Sequence, residues 1–236
     1  MLKVNQPRLN LEKQLDAFAK SLPDHCLVLD AGAGDQSNAR FFSHCIYESA
    51  DFGKVEKMYA KPTYACDLRE IPVPNSRFDV VIFSQVMEHL PYPQQVAIEL
   101  ARTLKPGGLL FNSAPLSFHE HEVPYDFYRY TQFGVRHIFT EAGFEVPEVL
   151  WLEGYLGTVS YQLTRMRKKI PSTARAYGGG LKGTFLAATF TLFRLLAAIL
   201  AFLAAVADRR HKWVGSGEPV NYYVVLKKPE VSQTPS

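Results

Sequence analysis

Short apolar runs alternate with segments of helical periodicity along the first two thirds of the chain. The runs are rich in β-branched and aromatic residues, which favour strands, and the segments between them place apolar residues at helical spacing. The six predicted strands are residues 26–29, 45–47, 64–66, 78–83, 109–112 and 144–151. The four predicted helices are residues 9–20, 36–42, 93–104 and 131–142. This alternation predicts a doubly wound, mostly parallel α/β sheet.

The pattern changes after residue 155. A basic amphipathic segment, residues 161–170, precedes a glycine break, and then residues 185–207 are almost wholly apolar. Residues 221–226 return to a strand pattern and predict a seventh strand. The predicted organisation is a core over residues 1–155, a helical insertion over 156–218, a last core strand within 219–229, and a tail without expected order over 230–236.

Residues 28–38 form a glycine-rich turn between an apolar strand and a helix start. Gly32 and Gly34 alternate with other residues, and Asp30 and Asp35 flank them. Glycine lets the backbone approach a ligand closely, so the turn predicts a nucleotide site. The acids would repel the pyrophosphate of a dinucleotide. They suit S-adenosylmethionine (SAM), which carries a sulfonium and an ammonium group and no phosphate.

The turn resembles motif I of the class I SAM-dependent methyltransferases, DxGxGxG, with Gln36 in place of the third glycine. From about residue 26 to 144 the chain is similar to the type 11 family of these enzymes, motif after motif. The resemblance implies a Rossmann-like sheet of seven strands, the last antiparallel. It also implies that Asp51 binds the ribose hydroxyls, with Glu48 as the alternative, and that Asp67 faces the adenine amino group.

Two further segments extend the resemblance. The sequence FDVVIFSQVMEHL matches the family's fourth strand and the segment that holds the methionine end of SAM, which implies roles for Ser84 and Gln85. The sequence LKPGG matches the turn before the fifth strand. Asp30 either contacts the methionine end or only ties the backbone of the loop.

Three histidines are candidates for proton transfer. His89 follows Glu88 at a predicted helix start, and His119 and His121 lie in the loop after the fifth strand. Histidine titrates near neutral pH, so each is a candidate general base. Two histidines at spacing two lack a third ligand, and we expect no metal. The alternative to a proton-transfer pair is a helix-start carboxylate, Glu88, beside a packing histidine.

The loop after the fifth strand, residues 119–131, contains PYDFYRYT. It is similar to a segment of a bacterial subset of these enzymes, some linked to surface-glycan or lipid modification. Tyr125, Asp126, Tyr128 and Arg129 either shape an acceptor pocket or form a packed loop in which Arg129 pairs with Asp126.

The apolar run Phe185–Ala207 is long enough to span a bilayer, which needs about 20 residues. A single crossing would separate the seventh strand from the rest of its sheet, and basic residues flank both ends of the run. We therefore expect a monotopic helix in the interface of the cytoplasmic leaflet. The alternative is a buried or dimer-forming helix.

Composition limits the kinds of binding partner and the cellular compartment that we expect. A net charge of +3 over 236 residues does not indicate nucleic-acid binding. The three cysteines suggest reduced core thiols of a cytoplasmic protein, and the first residues do not resemble a secretory signal. We expect a SAM-dependent methyltransferase acting on a small molecule, a glycan or a lipid-linked intermediate. The alternatives are an NAD(P)-dependent oxidoreductase and a non-catalytic, membrane-associated scaffold.

Overall fold

The computed structural model describes residues 6–53 and 61–230. The described chain forms two compact units. One contains residues 11–150, with the gap just given, and the returning segment 221–230. The other contains residues 6–10 and 151–220.

The first unit is built around a seven-stranded sheet in the order β3-β2-β1-β4-β5-β7-β6. The strands β1 to β5 pair in parallel, and β7 runs antiparallel to β5. This arrangement confirms the predicted Rossmann-like sheet with an antiparallel last strand. The strands are β1 Leu27–Ala31, β2 Ile46–Asp51, β3 Tyr64–Ala65, β4 Phe78–Ser84, β5 Leu104–Pro115, β6 Leu150–Trp151 and β7 Asn221–Lys227.

Within residues 6–53 and 61–230, five α-helices accompany the strands, and the apolar helix predicted before the last strand is present. They are α1 Gln6–Lys20, α2 Pro93–Thr103, α3 Gln132–Glu141, α4 Tyr155–Lys169 and α5 Gly180–Arg210. Pro93 starts α2 at a position where its missing N–H costs nothing, and the hydroxyl of Thr131 caps α3 by accepting from the Gly134 amide. These signals explain why both helices begin where the sequence predicted.

The centre of the sheet is buried on both faces. The apolar residues of β4 are almost wholly buried, as its β-branched sequence predicted. Asp79, a polar residue near the start of β4, is half-buried and accepts from the Leu27 amide and from Lys105 at 2.9 and 2.7 Å. β4 is therefore a rigid support for the segment that follows its carboxyl end.

The predicted strand 144–151 was wrong in extent, and the predicted helix 36–42 was wrong in type. Of the predicted strand 144–151 only β6 is a strand, because Pro147 has no amide to donate and Glu145 makes only an isolated bridge with Lys227. The predicted helix 36–42 is instead a single 3₁₀ turn, Ser37–Phe41. Gln36, just before the turn, has a left-handed backbone with φ of 57°. It therefore cannot be the first residue of a right-handed helix.

The second unit contains α4 and α5, which pack against each other. The Ser160 hydroxyl donates to the Ala201 carbonyl at 2.7 Å, and the buried Asp208 accepts from the Gly154 amide at 3.3 Å. The buried positions of α5 are mostly small residues, including Gly183, Ala187, Ala197 and Ala201. Its large apolar side chains are left exposed.

Candidate functional site

The glycine loop follows the carboxyl end of β1 and is held against two neighbouring strands. The Gly32 amide donates to the Ala50 carbonyl at 2.8 Å. Gly32 has φ of +80° and Gly34 of +52°, values that favour glycine. A Cβ atom at Gly32 would also collide with the side chain of Val86. The loop therefore needs glycine at Gly32 both for its backbone angle and for its contact with the segment after β4.

Asp51, the predicted ribose ligand, ends β2 beside this loop. Its two oxygens accept from the amides of Gly34 and Gly53, each at 2.9 Å. Each carboxylate oxygen has a second lone pair, so these bonds orient the group without using all its acceptor capacity. The alternative, Glu48, lies in the middle of β2, where it pairs with Arg77 at 2.6 Å and accepts from Tyr64 at 2.7 Å. Asp51 is thus the acid placed at the end of the strand.

Asp30 is buried under the loop. It accepts from the Tyr47 hydroxyl at 2.6 Å and from the Asn38 amide at 3.1 Å. Burial raises the pKa of Asp30 to about 6, although these two hydrogen bonds oppose the shift. Asp30 thus links the loop to β2 and to the 3₁₀ turn through hydrogen bonds. Of the two roles considered for Asp30, this agrees with holding the loop backbone in place.

The remaining cofactor candidates follow β3 and β4. Asp67 is paired with Arg69 at 2.7 Å, and the preceding amide, of Cys66, donates to the Asp51 carbonyl. The Ser84 and Gln85 side chains both meet the Ser113 hydroxyl, at 2.9 and 3.1 Å. The carboxyl ends of β4 and β5 are joined in this way at the sheet edge where doubly wound folds bind ligands.

The structure brings His89, His119 and His121 together although they come from two separate segments. The ring centroids of His89 and His121 are 4.6 Å apart, and those of His119 and His121 are 5.7 Å apart. Burial lowers the pKa of His89, and its Nδ1 lies 2.7 Å from the Tyr125 carbonyl oxygen. A neutral His89 that donates from Nδ1 leaves Nε2 as an acceptor.

The pair Asp126–Arg129 holds the loop that carries His121. Arg129 binds both oxygens of Asp126 at 2.7 Å and donates to the carbonyls of Phe118 and His119. Asp126 also accepts from the His121 amide at 2.8 Å, and the Arg129 bonds keep the pKa of Asp126 well below its usual range. The packed-loop alternative therefore describes this pair, and the pair positions His121.

Glu88 is the feature that sequence reasoning undervalued. Its side chain is completely buried, and neither carboxylate oxygen has a hydrogen-bond partner. Its Oε1 lies 3.8 Å from Nε2 of His89. Burial raises the pKa of Glu88 to about 8. The motif MEHL gives no sign that the loop after β5 closes over this carboxylate, so only the fold reveals its environment.

Comparison with known proteins shows that part of the chain is similar to a known family. Residues 29–112 match the family described as a methyltransferase domain. A probable S-adenosylmethionine-dependent methyltransferase of Mycolicibacterium smegmatis is 32% identical over 96 residues, which is 37% of this chain and 37% of that protein. The chain thus matches little more than a third of the length of this relative.

Solved structures share the fold at low sequence identity. The [4+2]-cyclase SpnF has a TM-score of 0.58 at 16% identity, with 95% of this chain and 82% of that chain covered. The 1,6-didemethyltoxoflavin N1-methyltransferase of Burkholderia thailandensis, solved with S-adenosylhomocysteine, has a TM-score of 0.54 at 13% identity over 97% and 80% of the two chains. At such identity the likeness concerns the fold alone, and one fold here carries two chemistries.

Proposed function

We propose that the protein is a class I SAM-dependent methyltransferase of the type 11 family and that it transfers the methyl group of SAM to a lipid-linked or amphipathic acceptor at a membrane surface; the match of residues 29–112 to a methyltransferase domain supports the first part. The glycine loop, whose Gly34 amide donates to Asp51, is the main support for SAM as the cofactor. The exposed apolar face of α5 is the main support for an acceptor at a membrane surface.

On the cofactor side, we assign Gly32 and Gly34 to the backbone that approaches the ligand and Asp51 to the ribose hydroxyls. Asp67 is assigned to the adenine amino group, where its pairing with Arg69 must open or share an oxygen. Ser84 and Gln85, at the end of β4, are assigned to the methionine end. Asp30 supports the loop from below and does not contact the ligand.

The rival cofactor is NAD(P), whose dinucleotide also binds at this edge of a doubly wound sheet. A pyrophosphate at this loop would lie beside Asp35 and Asp51 with no basic side chain in the turn to offset them. SAM places a sulfonium and an ammonium there instead. Calorimetry should therefore show binding of SAM and S-adenosylhomocysteine and none of NAD. Binding of NAD without SAM would overturn the assignment.

Methyl transfer from a sulfonium needs positioning and exclusion of water, together with removal of a proton when the acceptor is a hydroxyl or an ammonium. The cluster of His89, His119 and His121 lies in the segments that follow β4 and β5, at the edge where the methyl group is presented. We assign the handling of the acceptor proton to this cluster.

The membrane part rests on α5. Among the described residues it is the helix that is long and apolar enough to cross a bilayer, and only 11% of its most apolar stretch is buried. That low burial distinguishes it from the core helix of a soluble protein. An exposed apolar surface of this length indicates a membrane or a protein partner. The large exposed side chains are Leu181, Phe185, Leu192, Phe193, Leu195, Leu196, Ile199, Leu200, Phe202 and Leu203.

Chain connectivity and charge favour attachment over a single crossing. After α5 the chain returns to β7, which pairs with β5 inside the sheet. Basic residues lie near both ends of the helix, at Lys168 and Lys169 before it and at Arg209 and Arg210 in its last turn. Such residues are attracted by anionic headgroups, at about 1 kcal/mol each. We propose that the insertion 156–218 lies on the cytoplasmic leaflet as a monotopic module.

Flotation with anionic liposomes tests this module. The full-length protein should float, and added salt should weaken attachment. The double substitution Leu195→Asp and Ile199→Asp, both exposed on α5, should abolish flotation while SAM binding persists. Ile98→Asp is the matched control, because Ile98 is exposed on α2 and lies outside the proposed module.

Two results would count against the module. If the unmodified protein stays in solution without detergent and does not float, the membrane proposal fails, and with it the case for a lipid-linked acceptor. If the protein sediments as a dimer that the α5 substitutions dissociate, the exposed face is a self-association surface instead.

A further inference from the structure

Three side chains after β4 and β5 place their ligand atoms in one group. Among the described residues, Glu88, His89 and His121 each offer one such atom, and these atoms lie within 4.8 Å of one another. We propose that Glu88, His89 and His121 bind a divalent transition-metal ion. In the sequence His121 has only His119 as a neighbouring candidate ligand, whereas the fold places Glu88 and His89, from another segment, beside it.

The state of Glu88 is the main evidence. A buried carboxylate normally has a charged partner, several hydrogen bonds or a metal ion. Glu88 is completely buried, and both of its oxygens lack a hydrogen-bond partner. Arg129, whose charge acts on Glu88, is occupied by Asp126 and by backbone carbonyls. A cation bound between Glu88 and the two imidazoles would satisfy the free oxygens.

Hydrogen bonds to the rings are arranged as they are around metal-binding histidines. Such a histidine usually directs its other nitrogen at a carbonyl or carboxylate, which fixes the ring. Nδ1 of His89 lies 2.7 Å from the Tyr125 carbonyl oxygen. Nδ1 of His121 lies 3.1 Å from the His119 carbonyl oxygen and 3.4 Å from Oδ2 of Asp126. Nε2 is the remaining nitrogen on each ring.

The donor set indicates which ions to expect. Two imidazoles and one carboxylate suit Zn²⁺, Mn²⁺, Fe²⁺ and Co²⁺ better than Ca²⁺ or Mg²⁺, which prefer oxygen ligands. Three protein ligands leave coordination positions open, as catalytic metal sites do. Ligand bonds of about 2.0–2.2 Å require the three side chains to draw together by roughly 1 Å from their present spread.

The consequence for catalysis rests on the proposed function. An acceptor hydroxyl bound at an open position of the ion would be more acidic than a free hydroxyl, and its proton would pass to His119, the histidine of the cluster that is not a ligand, or to solvent. Its oxygen would then form a bond to the methyl carbon as the carbon–sulfur bond breaks. The bonding pair stays on sulfur, giving S-adenosylhomocysteine, and the sulfonium charge is replaced by the released proton. This arrangement favours an oxygen acceptor over a nitrogen or carbon acceptor.

Metal binding can be measured without any substrate. Full-length protein freed of its affinity tag is stripped with chelator, dialysed against Zn²⁺ or Mn²⁺, and analysed for bound metal. We expect one ion per chain. Glu88→Gln and His121→Ala should each weaken binding by at least tenfold. Glu141→Gln and His137→Ala, on the exposed surface of α3, should bind as the unmodified protein does.

A spectroscopic test covers the case in which a variant fails to fold. Co²⁺ added to the unmodified protein should produce visible absorption bands of a site with nitrogen ligands, and Zn²⁺ should displace them. Absence of stoichiometric metal and of these bands would overturn the proposal. Equal binding by the folded Glu88→Gln variant and the unmodified protein would do the same.

Activity separates this inference from the proposed function. Methyl transfer that chelation abolishes and Zn²⁺ or Mn²⁺ restores supports both. Full methyl transfer by metal-free protein leaves the function standing and overturns the catalytic part of the inference. Metal binding by a protein that neither binds SAM nor transfers a methyl group leaves the metal site standing and overturns the function.

Discussion

The carboxylates on the two sides of the candidate site are in opposite states. On the cofactor side, Asp30 is bound by Tyr47 and Asn38, and Asp51 is bound by two backbone amides. On the acceptor side, Glu88 is just as buried as Asp30, and its oxygens have no hydrogen-bond partner. The acids of the proposed cofactor side are thus oriented by hydrogen bonds, whereas the proposed acceptor side contains a buried carboxylate without them.

Because of this difference, we expect substitutions on the two sides of the site to change different measurable quantities. Substitutions beside the glycine loop should change cofactor affinity or the stability of the loop. Substitutions in the cluster after β4 and β5 should change turnover and leave cofactor affinity intact. Experiments that separate these quantities therefore test the division directly.

The largest effect is expected at the histidines of the acceptor side. His121→Ala or His119→Ala should lower turnover by about 10²–10⁴-fold, the usual contribution of a positioned proton-transfer group. SAM affinity measured by calorimetry should stay nearly unchanged, and the exposed His137→Ala is the control. A loss below threefold at both positions would mean that neither histidine takes part in the reaction.

A smaller effect is expected from the buried Asp30. Its pKa is about 6 in the folded protein and 3.8 ordinarily, so the folded state keeps a proton that the unfolded state loses between these values. The free energy of unfolding should therefore fall as pH rises from about 4 to 6, by roughly 3 kcal/mol in total.

Denaturant unfolding at several pH values measures this decline. Asp30→Asn cannot ionise and should flatten the pH dependence, whereas Asp24→Asn, an exposed residue, should not. If Asp30→Asn keeps the slope of the unmodified protein, Asp30 is ionised in the fold like an ordinary surface acid.

Next in size is the loss of cofactor affinity at Asp51. Asp51→Ala should weaken SAM binding by about 1–3 kcal/mol, because the ribose hydroxyls lose a charged acceptor and the Gly34 amide loses its partner. Calorimetry with Asp24→Ala as the control measures the change. Unchanged affinity would refute the ribose assignment and direct attention to Glu48.

The smallest effect is expected at Gln36, where the family has glycine. Gln36 already has the left-handed backbone that glycine adopts freely, with φ of 57°. Gln36→Gly relieves this strain and increases the entropy of the unfolded chain, so the unfolding free energy should change by no more than about 1 kcal/mol. SAM affinity should persist, and a tenfold loss would show that the Gln36 side chain contacts the cofactor.

Local signals explain which parts of the molecule the sequence could predict. The strand β4 could be predicted because its apolar run suits a strand that is covered on both faces. The helix α2 could be predicted because Pro93 marks its start. β6 is short because Pro147 interrupts the predicted strand, and the apolar pattern alone does not show this interruption. The left-handed backbone of Gln36, just before the 3₁₀ turn, could not be foreseen, because helical periodicity carries no signal for it.

The candidate site divides in the same way. Asp30, Gly32 and Gly34 were predicted because they are close together in one turn, and Asp51 was predicted from the family resemblance; their cofactor roles stay predictions. The association of His89 with His121 depends on how the loop after β5 folds over the end of β4, which the Asp126–Arg129 pair fixes. No spacing in the sequence encodes a contact of that kind.

The central claim is that SAM-derived methyl groups pass to an acceptor held at a membrane. Incubation of the purified protein with methyl-labelled SAM and fractionated membrane lipids and glycans tests this claim most directly. We predict label in a lipid-linked or amphipathic fraction, with formation of S-adenosylhomocysteine and loss of both in His121→Ala. Label confined to water-soluble molecules, or none in any fraction from protein that binds SAM, would contradict it.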